Sequence, residues 1–558
     1  MTTKMNYRKM ALLGSTMVAG AVGALLATVQ PARAFNVYNG EDYGNNLEIN
    51  LTTTLSYTPI VRVGNPSKIL TSPTGNANGS EADLNFQHGL VSNEFEITPE
   101  LDIKDGNYGA FFSGEAFINT SYLGTNQNNQ PGTVNAYSVA RNNDFTSATR
   151  NLDGLYSRLL DAFVYGSVNF GANNAQTLTV KIGRQTLLWG QSLFLTNNGI
   201  AAGMAPIDTI TAFNTPNAQT QQVIMPVGQA VFTYQPNQIV TIQGYYQAQW
   251  EPDNFQGEGA YFASTDAGLN VNTGQRLILA PGAYLYHTKD LTPPNNNGQF
   301  GLSTQLTLGN YDIGFYGLRY DAKAPVFYGA FGVPTLTKTG VSLGSWRAAY
   351  GRDIWIEGAS FSTTIGAVNV AGEISFRQHM PLTTGLDFVT PTSNANSNPA
   401  YPTGNTWAAQ SSFIYVSPGI PLDPGGVSVD GEIGMNHVLA ITANKAAIDS
   451  VATGAVNRSS TAAQFVLVAT PEYYNVLPNL QLGFPVGISY DFYGRSMVDP
   501  TENNGTGSVN VGITATYDVK WIASLTYQDE IGAPNPLMQG EPSIADRSYV
   551  LANLQYSF

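Results

Sequence analysis

Apolar and polar residues alternate along most of the chain from Asn46 onward, with the period of two that is typical of β-strands. In the first segment Leu47 and Ile49 fall on one face, and Glu48 and Asn50 fall on the other. Segments of this kind recur near residues 46–57, 95–103, 108–118, 160–170, 177–188, 226–236, 238–250, 298–309, 311–320, 353–364, 367–378, 406–416, 426–436, 462–471, 480–492, 508–518, 520–529 and 547–558. The pattern predicts an all-β protein whose strands have one apolar and one polar face.

The connections between these strands alternate between short and long. The short ones include 104–107, 235–238, 309–310 and 517–520, and the long ones include 59–92, 123–158, 189–225, 251–297, 321–352, 379–405 and 437–461. A soluble β-sandwich has no reason to keep this order, whereas an outer-membrane barrel has short periplasmic turns and long external loops. Because lipid cannot hydrogen-bond an edge strand, the sheet must close. We expect a closed antiparallel up-and-down transmembrane β-barrel of about 18 strands, with about 16 as the alternative, and both termini in the periplasm.

The last predicted strand alternates up to the final residue of the chain. Its apolar positions are Val550, Ala552, Leu554, Tyr556 and Phe558. This ending resembles the C-terminal signal with a final aromatic residue by which outer-membrane proteins are recognised for insertion. We therefore expect the insertion machinery of the outer membrane and its lipid as partners, with Leu554, Tyr556 and Phe558 as the insertion signal. An ordinary edge strand that stops at a phenylalanine is the alternative.

The first 34 residues have the layout of a secretory signal peptide. Lys4, Arg8 and Lys9 precede an apolar run from residue 11 to 29, and Ala32-Arg33-Ala34 offers a small-x-small cleavage site. A single-helix anchor is the alternative, which the Gly, Ser and Thr residues of the run disfavour. We expect a cleavable signal peptide at 1–34 and one barrel domain at 35–558.

Composition and charge narrow the class of protein further. Charged residues make up 11% of the chain, where a soluble domain carries roughly a quarter. Without the first 34 residues, which hold four cations and no anion, 21 Lys and Arg remain against 39 Asp and Glu, a net charge of −18. So acidic a chain is a poor candidate for binding nucleic acid. It has no cysteine, which excludes disulfides and thiolate metal sites.

Several segments resemble a bacterial family of predicted outer-membrane proteins, domain of unknown function 1302. They are 51–57, 89–93, 107–111 and 160–164, Val180-Lys181-Ile182-Gly183-Arg184-Gln185 with Trp189-Gly190-Gln191-Ser192, Asn198-Gly199-Ile200, and 358–364 with Gly372-Glu373-Ile374-Ser375. The chain departs from the family pattern at 205–208 and 215–217. The resemblance implies an outer-membrane protein connected with export or catabolism of hydrophobic compounds such as lipids, steroids or terpenoids, without an established activity.

The polar faces of the predicted strands carry many acids and few cations. The lumen-lining candidates are Glu48, Glu94, Glu96, Glu100, Asp102, Glu115, Asp161, Lys181, Arg184, Glu357, Glu373, Arg377, Asp430, Glu432 and Asp491. A lumen lined in this way concentrates cations and repels anions, and Asp161 and Lys181 can form a cross-strand pair. A merely solvated wall is the alternative.

The segment from Arg184 to Pro226 is too apolar for a free loop and not periodic enough for a strand. Our hypothesis is that it folds into the lumen as a constriction, and an external loop packed on its neighbours is the alternative. The constriction candidates are Trp189, Phe194, Ile200, Asp208 and Phe213.

Catalytic chemistry is poorly supported by the sequence. The four histidines are His88, His287, His379 and His437, and no nucleophile-elbow, metalloprotease or P-loop pattern is present. Residues 499–506 offer hard oxygen ligands for Ca²⁺, but such loops are more often solvated turns. We expect no catalytic residue, no metal and no cofactor.

Three functions follow in order of preference. The first is a porin-like channel for small-molecule solutes, with hydrophobic or aromatic compounds as candidates. The second is the outer-membrane part of an export or lipid-trafficking assembly with periplasmic partners. An outer-membrane hydrolase built on His437 comes third.

Overall fold

A computed structural model describes residues 35–40, 44–135, 141–216, 218–270, 275–294, 298–383, 401–417, 425–449, 457–538 and 540–558. The predicted signal peptide at 1–34 lies outside the described residues. All the candidate lumen, constriction and insertion residues lie within them.

The described residues form 24 strands, numbered here in chain order. They are β1 (Phe35–Asn39), β2 (Leu47–Arg62), β3 (Gly89–Asp105), β4 (Tyr108–Asn119), β5 (Leu155–Phe170), β6 (Gln176–Gln185), β7 (Val227–Gln235), β8 (Val240–Gln247), β9 (Leu277–Ala280), β10 (Ala283–His287), β11 (Gln299–Leu308), β12 (Tyr311–Tyr320), β13 (Val326–Thr337), β14 (Gly340–Ala349), β15 (Ile354–Ile365), β16 (Val368–Pro381), β17 (Thr403–Val416), β18 (Val427–Ala443), β19 (Thr461–Leu477), β20 (Leu480–Gly483), β21 (Val486–Tyr493), β22 (Thr506–Tyr517), β23 (Trp521–Ile531) and β24 (Tyr549–Ser557).

The helices are short and lie in the connections. Their bounds are Glu81–Asn85, Thr120–Tyr122, Ser147–Thr149, Arg150–Gly154, Ala172–Asn174, Ile200–Gly203, Thr209–Asn214, Thr220–Val223, Lys445–Asp449 and Glu541–Ile544. Among the residues that the structure describes, no helix is long and apolar enough to cross a bilayer.

The strands close into the predicted barrel of 18 antiparallel spans. Going round the wall, β2 to β8 are followed by β11, β12, β15 to β19, then β20 and β21 as one interrupted span, and β22 to β24. The ring closes where β24 pairs with β2, from Thr54 opposite Ser557 to Arg62 opposite Tyr549. The sequence-based fold class and strand count are confirmed.

The two faces of the wall differ as the alternation requires. On β5, for example, Leu159 and Val164 point outward and are 54% and 55% exposed, whereas Arg158 and Tyr165 occupy inward positions. Near the short turns the outward face carries aromatic rings. The centroid of the Tyr556 ring lies 4.4 Å from that of Trp521 and 5.6 Å from that of Phe558. An apolar outer band edged by aromatic residues is what a bilayer requires of a barrel.

The short strand β1 pairs with β2 beyond the point where β24 ends. The backbones of Thr53 and Phe558 exchange two hydrogen bonds of 2.9 and 3.1 Å, and β1 continues along the same edge of β2, from Phe35 opposite Leu51. The beginning of β2 also pairs with the end of β3, beside the Gly106–Asn107 turn. Residues 35–39 and the C-terminus therefore lie at the short-turn end of the barrel.

The structure adds strands that the sequence pattern did not indicate. The connections 251–297 and 321–352, predicted as loops, contain β9, β10, β13 and β14, which form a separate four-stranded sheet with β10 parallel to β14. These strands lie outside the barrel wall, so they need not alternate between lipid and lumen. The period-two criterion consequently overlooked them, and it also overlooked β1.

Substituting Val164 by Arg tests the outward face. A cation in the lipid-facing band of a barrel costs about 2–4 kcal/mol near the bilayer midplane, so we expect the free energy of unfolding in lipid vesicles to fall by that order. Ser167→Arg, at an inward position of the same strand, is the matched control and should cost less than about 1 kcal/mol. Equal losses for both variants would contradict the assigned faces. Denaturant titration followed by tryptophan fluorescence measures the difference.

Candidate functional site

Residues 186–226, the crossing segment, connect β6 to β7, and the first half of the segment is hydrogen-bonded to the opposite wall, at β16 to β18. Round the ring, seven strands separate β6 from β18 on one side and nine spans separate them on the other. A segment that starts at β6 and is held at β18 must therefore pass through the lumen. This places residues 189–200 inside the barrel.

Two glutamates of the far wall accept hydrogen bonds from the backbone of the crossing segment. Glu432 on β18 accepts from the N–H groups of Leu193 at 3.1 Å and Leu195 at 2.7 Å, and also from Phe194. Glu373 on β16 accepts from the N–H groups of Gln191 at 2.5 Å and Ile200 at 2.9 Å. Carboxylate acceptors make such bonds roughly twice as strong as neutral ones.

An arginine beside them binds the carbonyl groups of the same turn. Arg377 on β16 donates to the carbonyl oxygens of Asn197, Asn198 and Gly199, at 2.7 to 3.2 Å. The side-chain amide of Asn198 in turn donates to Gln410 on β17 at 3.1 Å. Charged groups of one wall thus provide hydrogen-bond partners for both the N–H and the carbonyl groups of the segment's backbone.

Two glycines of the crossing segment permit this close approach. A Cβ atom at Gly190, where φ is +99°, would lie 2.2 Å from a Glu373 carboxylate oxygen, and one at Gly199 would lie 2.4 Å from the other. The opposite wall also has a glycine at a contact, because a Cβ at Gly358 would lie 2.8 Å from Ile200. The resemblance segments 189–192, 198–200 and 372–375 therefore meet in space.

Apolar side chains of the crossing segment are buried against the wall. Trp189 packs against Tyr245 with ring centroids 5.1 Å apart and donates its indole N–H to Gln243 at 2.6 Å. Phe194 and Ile200 are fully buried. Phe194 belongs to a cluster with Leu193, Leu195, Val466 and Val468, and Ile200 to one with Met204, Ile354 and Ile356.

The second half of the crossing segment returns to the near wall. Asp208 caps the helix Thr209–Asn214 by accepting from the Thr211 N–H, and its other oxygen lies 2.6 Å from Arg158 on β5. Arg158 also pairs with Glu115 on β4 at 2.6 Å. Phe213 stacks on Phe262 with centroids 4.9 Å apart, so this half joins the apolar cluster of the long loops.

Thirteen of the fifteen lumen candidates lie at inward positions. The five most involved with the crossing segment, which are almost fully buried, are Glu94, Glu96, Glu115, Glu373 and Glu432. The others at inward positions are Glu48, Glu100, Asp102, Asp161, Lys181, Arg377, Asp430 and Asp491. Glu48, Glu100 and Asp102 keep partial exposure, and Lys181 is exposed.

Two of the lumen candidates, Glu357 and Arg184, face outward, so the prediction that they line the lumen is wrong. Glu357 shares its face with Trp355 and Phe361, which are 39% and 46% exposed, because Ile354 and Ile356 occupy the inward positions of β15. The polar-inward rule fails there, since that wall packs on the apolar side of the crossing segment. Arg184 shares the outward register of Ile182 and binds Glu251 at 2.8 Å.

The charges of Asp161 and Lys181 attract each other, but each side chain makes its direct contacts with other groups. Lys181 lies opposite Tyr165 in register, and its ammonium is 5.1 Å from the centre of the Phe163 ring. Asp161 instead accepts from the Ser113 hydroxyl at 3.3 Å. Leu554, Tyr556 and Phe558 share the outward face of the final strand, as an insertion signal would require.

Sequence reasoning missed several charged residues at the long-loop end. Arg158 followed the alternation of β5 but fell in a predicted loop. Arg62 and Arg547 both bind the buried Asp83, at 2.8 and 3.2 Å, and no periodic signal marks such loop contacts. Lys323 is buried, and its ammonium lies 5.4 Å from the centre of the Tyr320 ring. Burial lowers the pKa of this ammonium to about 8.

The chemistry around the histidines is limited. His437 lies 2.7 Å from the Thr461 hydroxyl and next to Trp407. In the part of the chain that the structure describes, no three His, Asp or Glu side chains are placed to hold a metal ion.

A closed barrel of 18 antiparallel strands with an apolar outer face, short turns at one end and long loops at the other is a transmembrane β-barrel of the outer-membrane type. The chain belongs to the family described as protein of unknown function (DUF1302), whose model matches residues 15–558. The resemblance noted in the sequence is thereby confirmed. No curated protein matches the sequence.

Several solved structures are similar to this chain in fold, and the similarity extends over almost its whole length. OccAB1 of Acinetobacter baumannii shares 10% identity over 95% of this chain and 99% of its own, with a TM-score of 0.41. A BenF-like porin from Pseudomonas fluorescens Pf-5 shares 10% identity over 92% and 98%, with a TM-score of 0.40. The outer membrane channel DcaP of Acinetobacter baumannii shares 10% identity over 94% and 100%, with a TM-score of 0.34. These likenesses concern the fold alone.

Removing one glutamate anchor should loosen the crossing segment. The chain has no cysteine, so a single Ser192→Cys substitution, at a buried hydroxyl, reports the opening of the segment through its rate of reaction with a polar maleimide. Replacing Glu432 by Gln forfeits a charge-assisted network worth about 1.5 kcal/mol or more, so we expect labelling to accelerate roughly tenfold. Glu357→Gln, on the outward face, is the matched control and should leave the rate unchanged. Equal rates in the two variants would refute the anchoring role.

The packing of the long loops should weaken as pH rises. Burial raises the pKa of Asp153, which accepts from the Gly257 N–H at 2.8 Å, to about 8, and that of Glu258 to about 7. A raised carboxyl pKa contributes stability that is complete below the unfolded value near 4 and is lost as pH rises to the folded value.

Amide hydrogen exchange, corrected for intrinsic rates, should therefore show less protection of residues 146–154 at pH 8.5 than at pH 5. Asp153→Asn should flatten this dependence, and Asp144→Asn, at a surface ion pair with Arg141, should keep it. A slope that is unchanged in Asp153→Asn would disprove the assignment.

Proposed function

We propose that this protein is a non-enzymatic channel of the outer membrane through which small solutes diffuse, and that the crossing segment constricts its lumen. A barrel of this size leaves an aqueous passage unless something fills it. The observation that carries the proposal is the attachment of the segment to Glu373, Arg377 and Glu432 across the lumen. Such charged contacts make it a fixed part of the passage.

The proposed orientation has the short turns and both ends of the described chain in the periplasm. Two observations support it: residues 35–39 and Phe558 lie at the short-turn end, and the long loops gather at the other end with the four-stranded sheet. Outer-membrane barrels place short turns in the periplasm and long loops outside.

We propose a modest preference for cations. Most wall acids near the crossing segment are buried beneath it, so ions in the passage do not contact them directly. Glu48, Glu100 and Asp102 keep partial exposure, against the exposed Lys104 and Lys181. This small excess of acids favours cations by its summed field.

Shortening the crossing segment should widen the passage. When residues 192–220 are replaced by a short Gly-Ser linker, we expect the single-channel conductance in planar bilayers to rise at least about twofold, because the obstacle in the lumen is removed. A reversal potential in a KCl gradient gives the ion preference in the same recordings.

The matched control replaces residues 330–343, the distal part of the β13–β14 hairpin outside the wall, and should keep the wild-type conductance. An unchanged conductance in a folded barrel that lacks 192–220 would count against the constriction. A wild-type protein that inserts but never conducts would favour the alternative role in an export assembly.

A further inference from the structure

Three aromatic rings on the inner wall form a strip that the crossing segment leaves partly exposed. Phe111 on β4 pairs in register with Phe163 on β5, and Tyr165 lies two residues further along β5. The centroid of the Phe163 ring is 5.7 Å from that of Phe111 and 6.4 Å from that of Tyr165. All three side chains are half-buried. They lie toward the short-turn end, because β4 begins at Tyr108, directly after the turn.

The backbone around the strip is shaped to hold these rings. A Cβ atom at Gly109 would lie 2.5 Å from the ring of Tyr165, so the ring lies across the backbone of β4 at a position where only glycine fits. On the other side Gly183, with φ of +139°, pairs with Phe163 and would bring a Cβ within 2.9 Å of the Phe163 Cβ. Three of the segments that carry the family resemblance supply Gly109, Phe163 and Gly183.

The two edges of the strip carry opposite charges. Lys181 on β6 places its ammonium 5.1 Å from the centre of the Phe163 ring. Asp102 on β3 lies opposite Phe111 in register and is partly exposed. At the strip itself one cation stands against one anion, so its two edges add no net charge where a ring would lie, in contrast to the small excess of acids in the wider lumen. The two groups also offer a donor and an acceptor to a polar substituent.

Aromatic surface of this kind gains free energy when another ring covers it. Ring pairs at centroid separations of 4.5–7 Å contribute about 0.5–1.5 kcal/mol beyond the burial of area. Another inward aromatic cluster, around Trp189 and Tyr245, is already buried by the crossing segment. The strip of Phe111, Phe163 and Tyr165 remains available.

We propose that this strip is a binding site for neutral ring compounds, aromatic or alicyclic, with a hydroxyl or carbonyl substituent that reaches Lys181 at one edge of the strip or Asp102 at the other. The inference rests on the proposed channel, for which it names a substrate class, and the site lies on the periplasmic side of the constriction.

Binding and conduction are measured separately, so that the two proposals fail independently. In detergent solution, ¹⁹F line broadening of 4-fluorophenol at pH 6.5 reports binding to the whole protein, with 4-fluorobenzoate and 4-fluorobenzylammonium as charged counterparts. In planar bilayers, the same three probes are tested for interruptions of the single-channel current. We expect 4-fluorophenol to bind and to interrupt the current more strongly than either ion.

Variants assign the binding to the strip. Phe163→Ala and Tyr165→Ala should each weaken the apparent affinity for 4-fluorophenol roughly three- to tenfold, because each removes one ring contact. Phe112→Ala is the matched control, since that ring lies next to Phe111 in sequence but points outward and is 41% exposed. It should bind like the wild type.

Two results overturn the inference: equal affinity of the wild type and both inward variants, or tighter binding of either ion than of the phenol. If the protein does not conduct but binds 4-fluorophenol through Phe163 and Tyr165, the channel proposal fails and the binding site stands. If the protein conducts and no ring compound binds, the binding site fails and the channel proposal stands.

Discussion

Peptide groups placed inside a barrel must find hydrogen-bond partners, and this requirement governs the arrangement of the lumen. The crossing segment is not a strand at residues 189–200, so it cannot satisfy its backbone by pairing with the wall. Glu373 and Glu432 accept its N–H groups and Arg377 donates to its carbonyl groups. An unsatisfied buried peptide group would cost about 1–3 kcal/mol. The position of the segment therefore depends on three charged side chains of the far wall.

This arrangement changes the meaning of the acidic wall. An excess of inward carboxylates suggests an electrostatic filter when only the sequence is considered. In the structure, Glu94, Glu96 and Glu115 bind side chains of the crossing segment or Arg158. Glu373 and Glu432 bind its backbone. Much of the acidity thus holds the constriction in place, and the acids nearer the short turns are the ones that remain exposed to ions in the passage.

Strand positions could be predicted because each strand contacts two different solvents. Val164 and Tyr165 are adjacent, yet one faces outward and the other faces the lumen, and that contrast is visible in the sequence. Glu357 was misassigned because Ile356 meets an apolar piece of protein in the lumen, which inverts the rule. The strands β13 and β14 lie away from the bilayer and carry no such contrast. The partners of Gly190 and Gly199 could not be predicted either, since Glu373 lies more than 170 residues away in the chain.

That separation has a consequence for assembly. The bonds that hold residues 191–200 of the crossing segment on the far wall join residues 173 to 239 positions apart, so they cannot form until strands made much later are in place. Contacts between residues so far apart in sequence form slowly, because the chain loses the entropy of a long loop before the contacts compensate for that loss. The far wall therefore does more than complete the ring: it supplies the contacts that hold a segment made well before it.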